Sequence, residues 1–270
     1  MIPIERVEIN GFAMQYFRFG TGARTLVILP GLSVQSVMLS AEAVAAAYAS
    51  FAEDYTIYVF DRRETLPEAY SVLEMARDTA EAMKALGLKD TYLFGASQGG
   101  MMALVIAIEY PALVKKLVLG STSAHVQPEQ FQVIARWIAL AEAADPVGLY
   151  LAFGEEIYPP AVFEQFHDAL IAAGETVTAE ELRRFVILAR GIEGFDVSDR
   201  VAEIQSPVLA IGVYEDAVLD ADATMEIAEK LDPRPDFRLY LYMGYGHAAF
   251  DTAPDYRDRM RKFFEESCGR

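Results

Sequence analysis

Short apolar runs recur along the chain, separated by stretches in which apolar residues return every third or fourth position. The runs "TLVILP", "TIYVFD", "TYLFGA", "KKLVLGS", "PVLAIGV" and "FRLYLYM" are apolar nearly throughout, which predicts strands covered on both faces. Two earlier runs, "RVEI" and "MQYFRFG", flank Asn10-Gly11, a dipeptide suited to a tight hairpin, and predict an opening antiparallel pair. Glu68 to Leu86 carries Val72, Met75, Ala76, Ala80, Met83 and Leu86 at helical spacing, beginning after Pro67 and stopping at Gly87. Ala221 to Leu231 and Tyr256 to Phe264 repeat that pattern. Strands alternating with helices predict an α/β fold, a mostly parallel central sheet flanked by helices.

The alternation lapses between Ser121 and Ser206, where no convincing strand occurs. There "QFQVIARWIALAEAAD", "AVFEQFHDALIAAG" and "AEELRRFVILARGI" each give an amphipathic helix. The chain is thus expected to divide into a core from residues 1–120 and 207–270 and an inserted helical cap from 121–206.

Composition narrows the function. A chain of 270 residues, 53% hydrophobic and 23% charged, can bury a full core without staples. Its net charge of −17 opposes both nucleic acid and anionic membrane surfaces, and no basic cluster exceeds the pairs Arg62-Arg63 and Lys115-Lys116. Cys268 is the sole cysteine, which rules out an intrachain disulfide or a multi-cysteine metal site and reads as a solvated tail thiol. The opening "MIPIERVEINGFAMQYF" lacks the unbroken apolar stretch of a signal peptide, and no later window is long enough to span a bilayer. A cytoplasmic protein is expected. Oligomeric state is left open, with a homodimer as one option.

The candidate chemistry begins at Gly95-Ala96-Ser97-Gln98-Gly99, a G-x-S-x-G pentad with a strand running in and a helix running out. A strand-to-helix turn this sharp strains the serine and requires small residues two positions to either side, as Gly95 and Gly99 provide. Ser97 is therefore read as a nucleophile rather than an incidental turn residue. The free N–H of Gln98, at the helix start, can stabilise an oxyanion.

A serine nucleophile needs a base, and the chain has three histidines. His247 follows the last strand, so a parallel sheet delivers it to the edge that carries Ser97. His167 falls inside a predicted cap helix, and His125 is read as a pocket-wall or hinge residue. Asp216, at the end of "PVLAIGV", is the expected partner of the base, with Glu215 as runner-up and Asp220 as a helix cap. A second oxyanion donor is expected from the N–H of Leu32, after Pro30-Gly31 ends an earlier strand. Ser33, His125, Trp137 and Tyr245 are candidates for the pocket wall.

The order Ser97, Asp216, His247 resembles the α/β-hydrolase superfamily, and "ILPGLS", "VFDRR", "GASQGG", "GVYED" and "GYGHAAF" extend the likeness over nearly the whole chain. "FGASQGGMMA" followed by "YPALVKKLVLGSTSA" is most similar to its esterase, enol-lactonase and non-haem haloperoxidase branch. The resemblance implies Ser97 as nucleophile, His247 as base, Asp216 as acid, and Leu32 with Gln98 as the oxyanion hole. Two departures stand out. Pro30-Gly31 replaces a common His-Gly, and "DRRETLPEAYS" keeps Asp61 and Arg63 of D-x-R-G-x-G-x-S but loses the glycines, so a changed cleft wall is expected there.

The expected reaction is two-step acyl transfer on a small or medium, largely apolar carboxylester or lactone, with no metal or organic cofactor. The small-molecule substrate would enter a pocket lined by cap aromatics drawn from Phe131, Trp137, Tyr150, Phe153, Tyr158, Phe163 and Phe166. Alternatives are an aminopeptidase using Glu155 or Glu156 to hold the substrate ammonium, a carbon–carbon bond hydrolase with the same triad, and a non-enzymatic binding protein on the same fold.

Overall fold

A computed structural model describes residues 1–9 and 11–267. Asn10 and Cys268 lie outside the described residues, so the predicted hairpin turn is represented by Gly11, whose φ is +93°.

The elements in chain order are strands β1 (Ile4–Ile9), β2 (Phe12–Phe19) and β3 (Arg24–Leu29), helix α1 (Ala41–Ala47), β4 (Tyr55–Arg63), α2 (Val72–Ala85), β5 (Thr91–Ala96), α3 (Gln98–Glu109) and β6 (Val114–Gly120). Four helices follow without a strand among them: α4 (Pro128–Glu142), α5 (Pro146–Ile157), α6 (Pro160–Glu175) and α7 (Ala179–Arg190). The chain ends with β7 (Val208–Val213), α8 (Asp220–Leu231), β8 (Phe237–Tyr242), α9 (Ala249–Thr252) and α10 (Tyr256–Glu265).

The eight strands form one sheet in the order β1-β2-β4-β3-β5-β6-β7-β8. β2 is antiparallel to β1 and β4, and every pairing from β4 onward is parallel. After β3 the chain crosses to one side for β4 and returns to the other for β5, so their carboxyl ends meet at a topological switch point. One face of the sheet is covered by α2, α3 and α8, the other by α1 and α10.

Three local outcomes differ from the sequence reading. Helix α2 starts at Val72 rather than Glu68, because Ser71 and Glu74 form a capping box. β8 is an edge strand with Arg238 and Leu239 exposed, so "FRLYLYM" is not covered on both faces. α5, "PVGLYLAFGEEI", has no strong apolar face to announce it and rests on other signals. Asp145 Oδ1 caps it by accepting the Gly148 N–H at 2.8 Å. Gly154 lets α6 approach, since a Cβ there would fall 2.5 Å from Leu170 Cδ1.

The four-helix excursion opens and closes at one place. Val126 N–H donates to Phe195 O at 2.9 Å and Val197 N–H to Ala124 O at 2.8 Å, drawing its two ends together. The turn of 3₁₀ helix at Ser198–Glu203 beyond that closure already packs on α3 and α8.

Candidate active site

The turn between β5 and α3 sets the site. Ser97 has φ +52° and ψ −124°, a region that side chains other than glycine's enter at a cost of about 1–3 kcal/mol. The strain is held from both sides: Ser97 N–H donates to Gly120 O at 2.9 Å, and Ser97 O accepts from Gly100 N–H at 2.8 Å and Thr122 Oγ1 at 2.7 Å. Gly95 and Gly99 are there because nothing larger fits. A Cβ at Gly95 would sit 2.3 Å from Gly99 O, and one at Gly99 would sit 2.0 Å from Leu29 O.

The loop after β3 closes over the serine. A Cβ at Gly31 would be 3.1 Å from Ser97 Cβ and 3.7 Å from Ser97 Oγ, so the backbone passes at contact distance. The N–H groups of Leu32 and Gln98 are not engaged by any described backbone acceptor outside regular elements. Leu32 lines the cavity in front of Ser97, whereas the Gln98 side chain does not. Gln98 is instead buried, its Oε1 accepting from Arg62 Nη2 at 2.9 Å and its Nε2 donating to Leu188 O at 2.7 Å. The same Arg62 nitrogen donates to Pro30 O at 2.9 Å. One guanidinium therefore ties both predicted oxyanion segments together from behind, and its burial pushes its pKa down to about 10.

His247 and Asp216 form a buried pair. His247 Nδ1 lies 2.8 and 2.9 Å from the two carboxylate oxygens of Asp216. An ionised carboxylate only accepts, so Nδ1 carries the hydrogen and Nε2 is left with its lone pair. Asp216 Oδ1 also accepts the N–H groups of Val218 at 2.9 Å and Leu219 at 3.0 Å, which fixes the acid before it fixes the imidazole. Glu215 is not an alternative, because its Oε2 accepts the Gly244 N–H at 2.7 Å at the surface. Asp220, the first residue of α8, accepts the Ala223 N–H with its Oδ1 at 3.1 Å.

Ser97 and His247 open on the same cavity of about 460 Å³. His247's hydrogen bonds run to Asp216 and not to Ser97, whose side chain bonds to no described residue. The cavity wall is largely apolar and draws on the loop after β3, on α3, and on Ile134, Trp137, Tyr150, Phe153, Tyr158 and Leu170 of the four-helix segment. Among the described residues no group of three or more His, Cys, Asp and Glu side chains is arranged to hold a metal ion.

A family profile described as alpha/beta hydrolase fold matches residues 24–173. The chain belongs to the alpha/beta hydrolase family. Hydrolysis is the activity that membership supports. Relatives include "Putative carbamate hydrolase RutD" of Agrobacterium fabrum, 26% identical over 79% of this chain and 84% of that protein. The protein of the same name from Caulobacter segnis is 27% identical over 79% and 82%. Among solved structures, the alpha/beta hydrolase MGS-M2 from a Medee basin deep-sea metagenome library superposes with a TM-score of 0.87 at 20% identity, covering 98% of this chain and 99% of that one. The enol-lactonase of Burkholderia xenovorans follows with a TM-score of 0.82 at 17% identity, covering 97% and 100%. These two show the shared hydrolase fold.

Within the hydrolase fold, Ser33 and Trp137 line the cavity, and Ser33 Oγ donates to Gln35 O at 2.7 Å. His125 and Tyr245 do not. His125 sits at the closure of the four-helix excursion, bridged to Asp196 with its Nδ1 3.0 Å from Gln127 Nε2. Tyr245 packs on Tyr242, ring centroids 5.3 Å apart. His167 stands on α6 against Phe163, away from the site.

Phe131, Phe163 and Phe166 also fall outside the cavity. Glu155 and Glu156 face Arg136 rather than the cavity. The "DRRETLPEAYS" segment contributes no residue to the cavity wall. Its residues act behind it: Asp61 pairs with Arg184 of α7 and accepts from Ser36 Oγ, while Arg63 turns away to Asp78 and over the Phe12 ring at 4.1 Å.

Residues missed in the sequence join the site to the four-helix segment. Gln35 Nε2 donates to Glu181 Oε1 at 3.1 Å and Gln35 Oε1 accepts from Tyr150 Oη at 3.0 Å. Ala248 N–H, next to His247, donates to Ile157 O at 2.9 Å. Lone polar residues in loops give no periodic signal that could have marked them.

Proposed function

We propose that this hydrolase is a serine esterase or lactonase, with Ser97 as nucleophile, His247 as base and Asp216 as the carboxylate that orients the base. The observation that carries the reading is the coincidence of a strained serine and a buried His247–Asp216 pair on one apolar cavity. His247 Nε2 takes the Ser97 proton as Oγ attacks the carbonyl carbon. The N–H groups of Leu32 and Gln98 stabilise the resulting oxyanion, and the imidazole returns the proton to the departing alcohol. Water, deprotonated by the same imidazole, then releases the acid.

The four helices α4–α7 act as a cap that excludes bulk water and shapes the acyl site. The relatives named for carbamate hydrolysis fit the same chemistry, since a carbamate offers a carbonyl to the same attack. The aminopeptidase reading loses the two carboxylates first assigned to it, since Glu155 and Glu156 face Arg136. Hydrolysis of p-nitrophenyl acetate tests the reading. Ser97→Ala is expected to lower turnover by about 10³-fold or more, and a variant working at the wild-type rate would refute the assignment.

A further inference from the structure

The cavity wall carries one carboxylate that the acyl-transfer scheme does not use. Asp251, on α9 four residues beyond His247, faces the cavity; among the described residues lining it there is no other acid and no lysine or arginine. The side chain is exposed on the cavity side, and desolvation by the surrounding protein pushes its carboxyl up to about 6. It has no hydrogen-bond partner or ion pair among the described residues. The opposing charge is Arg257, whose guanidinium carbon instead sits over the Tyr48 ring, 5.1 Å from its centroid.

Its surroundings say what would pair with it. Tyr48, Phe94, Tyr158 and Phe250 line the same cavity. The Asp251 charge adds to burial in raising the hydroxyl pKa values of Tyr48 and Tyr158. Aromatic faces carry negative potential and bind alkylammonium groups, all the more so beside an anion. The protein's overall charge of −17 acts in the same direction.

We propose that Asp251, with Tyr158, forms a subsite for an alkylammonium group, so that the preferred substrates are esters carrying such a cation rather than neutral or carboxylate-bearing ones. The substrate part rests on the serine-hydrolase reading; the binding part does not. In the productive complex the ammonium neutralises Asp251 while the ester carbonyl lies under the Leu32 N–H. Substrate carboxylates are repelled, since the wall offers them no cation.

Two measurements separate this subsite from the hydrolase reading. The first compares kcat/KM at pH 8 for acetylcholine and for 3,3-dimethylbutyl acetate, which has the same shape with carbon in place of the charged nitrogen. Wild-type protein should prefer the cation by about tenfold or more, and Asp251→Asn should bring the ratio near one. The second is calorimetric binding of phenyltrimethylammonium to Ser97→Ala protein, which needs no catalysis. Binding should be measurable and should weaken about tenfold when Asp251→Asn is added. Binding that depends on Asp251, with neither ester cleaved, would keep the subsite and overturn the serine chemistry. Ester cleavage with no preference for the cation and no binding of phenyltrimethylammonium would overturn the subsite and keep the chemistry.

Discussion

His247 Nδ1 lies within 2.9 Å of both carboxylate oxygens of Asp216, and the carboxylate is itself held by the N–H groups of Val218 and Leu219. The acid thus sets the tautomer of the imidazole as well as its orientation. Asp216→Asn presents an amide that can donate to Nδ1, which favours the tautomer whose Nε2 carries the hydrogen and cannot accept one. Turnover should fall by about 10³- to 10⁴-fold with KM little changed. Steady-state kinetics on p-nitrophenyl acetate check this, and a loss below tenfold would mean that the pair is structural.

Strain at Ser97 predicts a trade between stability and function. Glycine tolerates φ +52° without penalty and alanine does not. Ser97→Gly should therefore be more stable than Ser97→Ala by about 1 kcal/mol in urea denaturation. Equal stabilities would show that the turn stores no strain.

Arg62 should behave as a positioning residue. Its guanidinium spans Pro30 O and Gln98 Oε1, so Arg62→Met leaves two buried acceptors unpaired and frees both segments that flank Ser97. Stability should drop by about 2–4 kcal/mol. At a temperature where the variant remains folded, kcat should fall more than KM rises. A stability loss with kcat untouched would make Arg62 structural only.

Asp251 gives a stability signature that depends on pH. Its folded pKa of about 6 lies above that of an ordinary aspartate, so the folded protein retains a proton that the unfolded chain has released. The associated stability is complete below about pH 4 and is lost as pH rises through about 6. Asp251→Asn should melt higher than wild type above pH 7, with the two converging near pH 4. A difference in Tm independent of pH would mean that the carboxyl is not held up by its enclosure.

The strained serine turn was legible in the sequence because it imposes requirements on adjacent residues: Gly95 and Gly99 are small for reasons that act within five positions. His247 and Asp216 were legible because apolar strands fix which loops reach the carboxyl edge. Arg62 was not. β4 pairs Tyr16 with Phe60 and Met14 with Arg63, so Asp61 and Arg62 together oppose Gln15 in a bulge. That bulge, invisible to pattern reading, decides which of two adjacent arginines reaches the turn.

Asp251 escaped for a different reason, since α9 is only four residues long and carries no period. Helix α5 was missed because it has no strong amphipathic face: Gly154 serves contact with α6 and Gly148 lies against the capping Asp145. His125 and Tyr245 were placed in the pocket on chain proximity alone, which gives no direction to a side chain.

Labelling with a fluorophosphonate probe, followed by mass spectrometry of the digest, tests the central claim most directly. The account predicts a single phosphonylated residue, Ser97, with labelling abolished in Ser97→Ala and slowed by orders of magnitude in His247→Ala. An unlabelled wild-type protein, or an adduct on any other side chain, would contradict it.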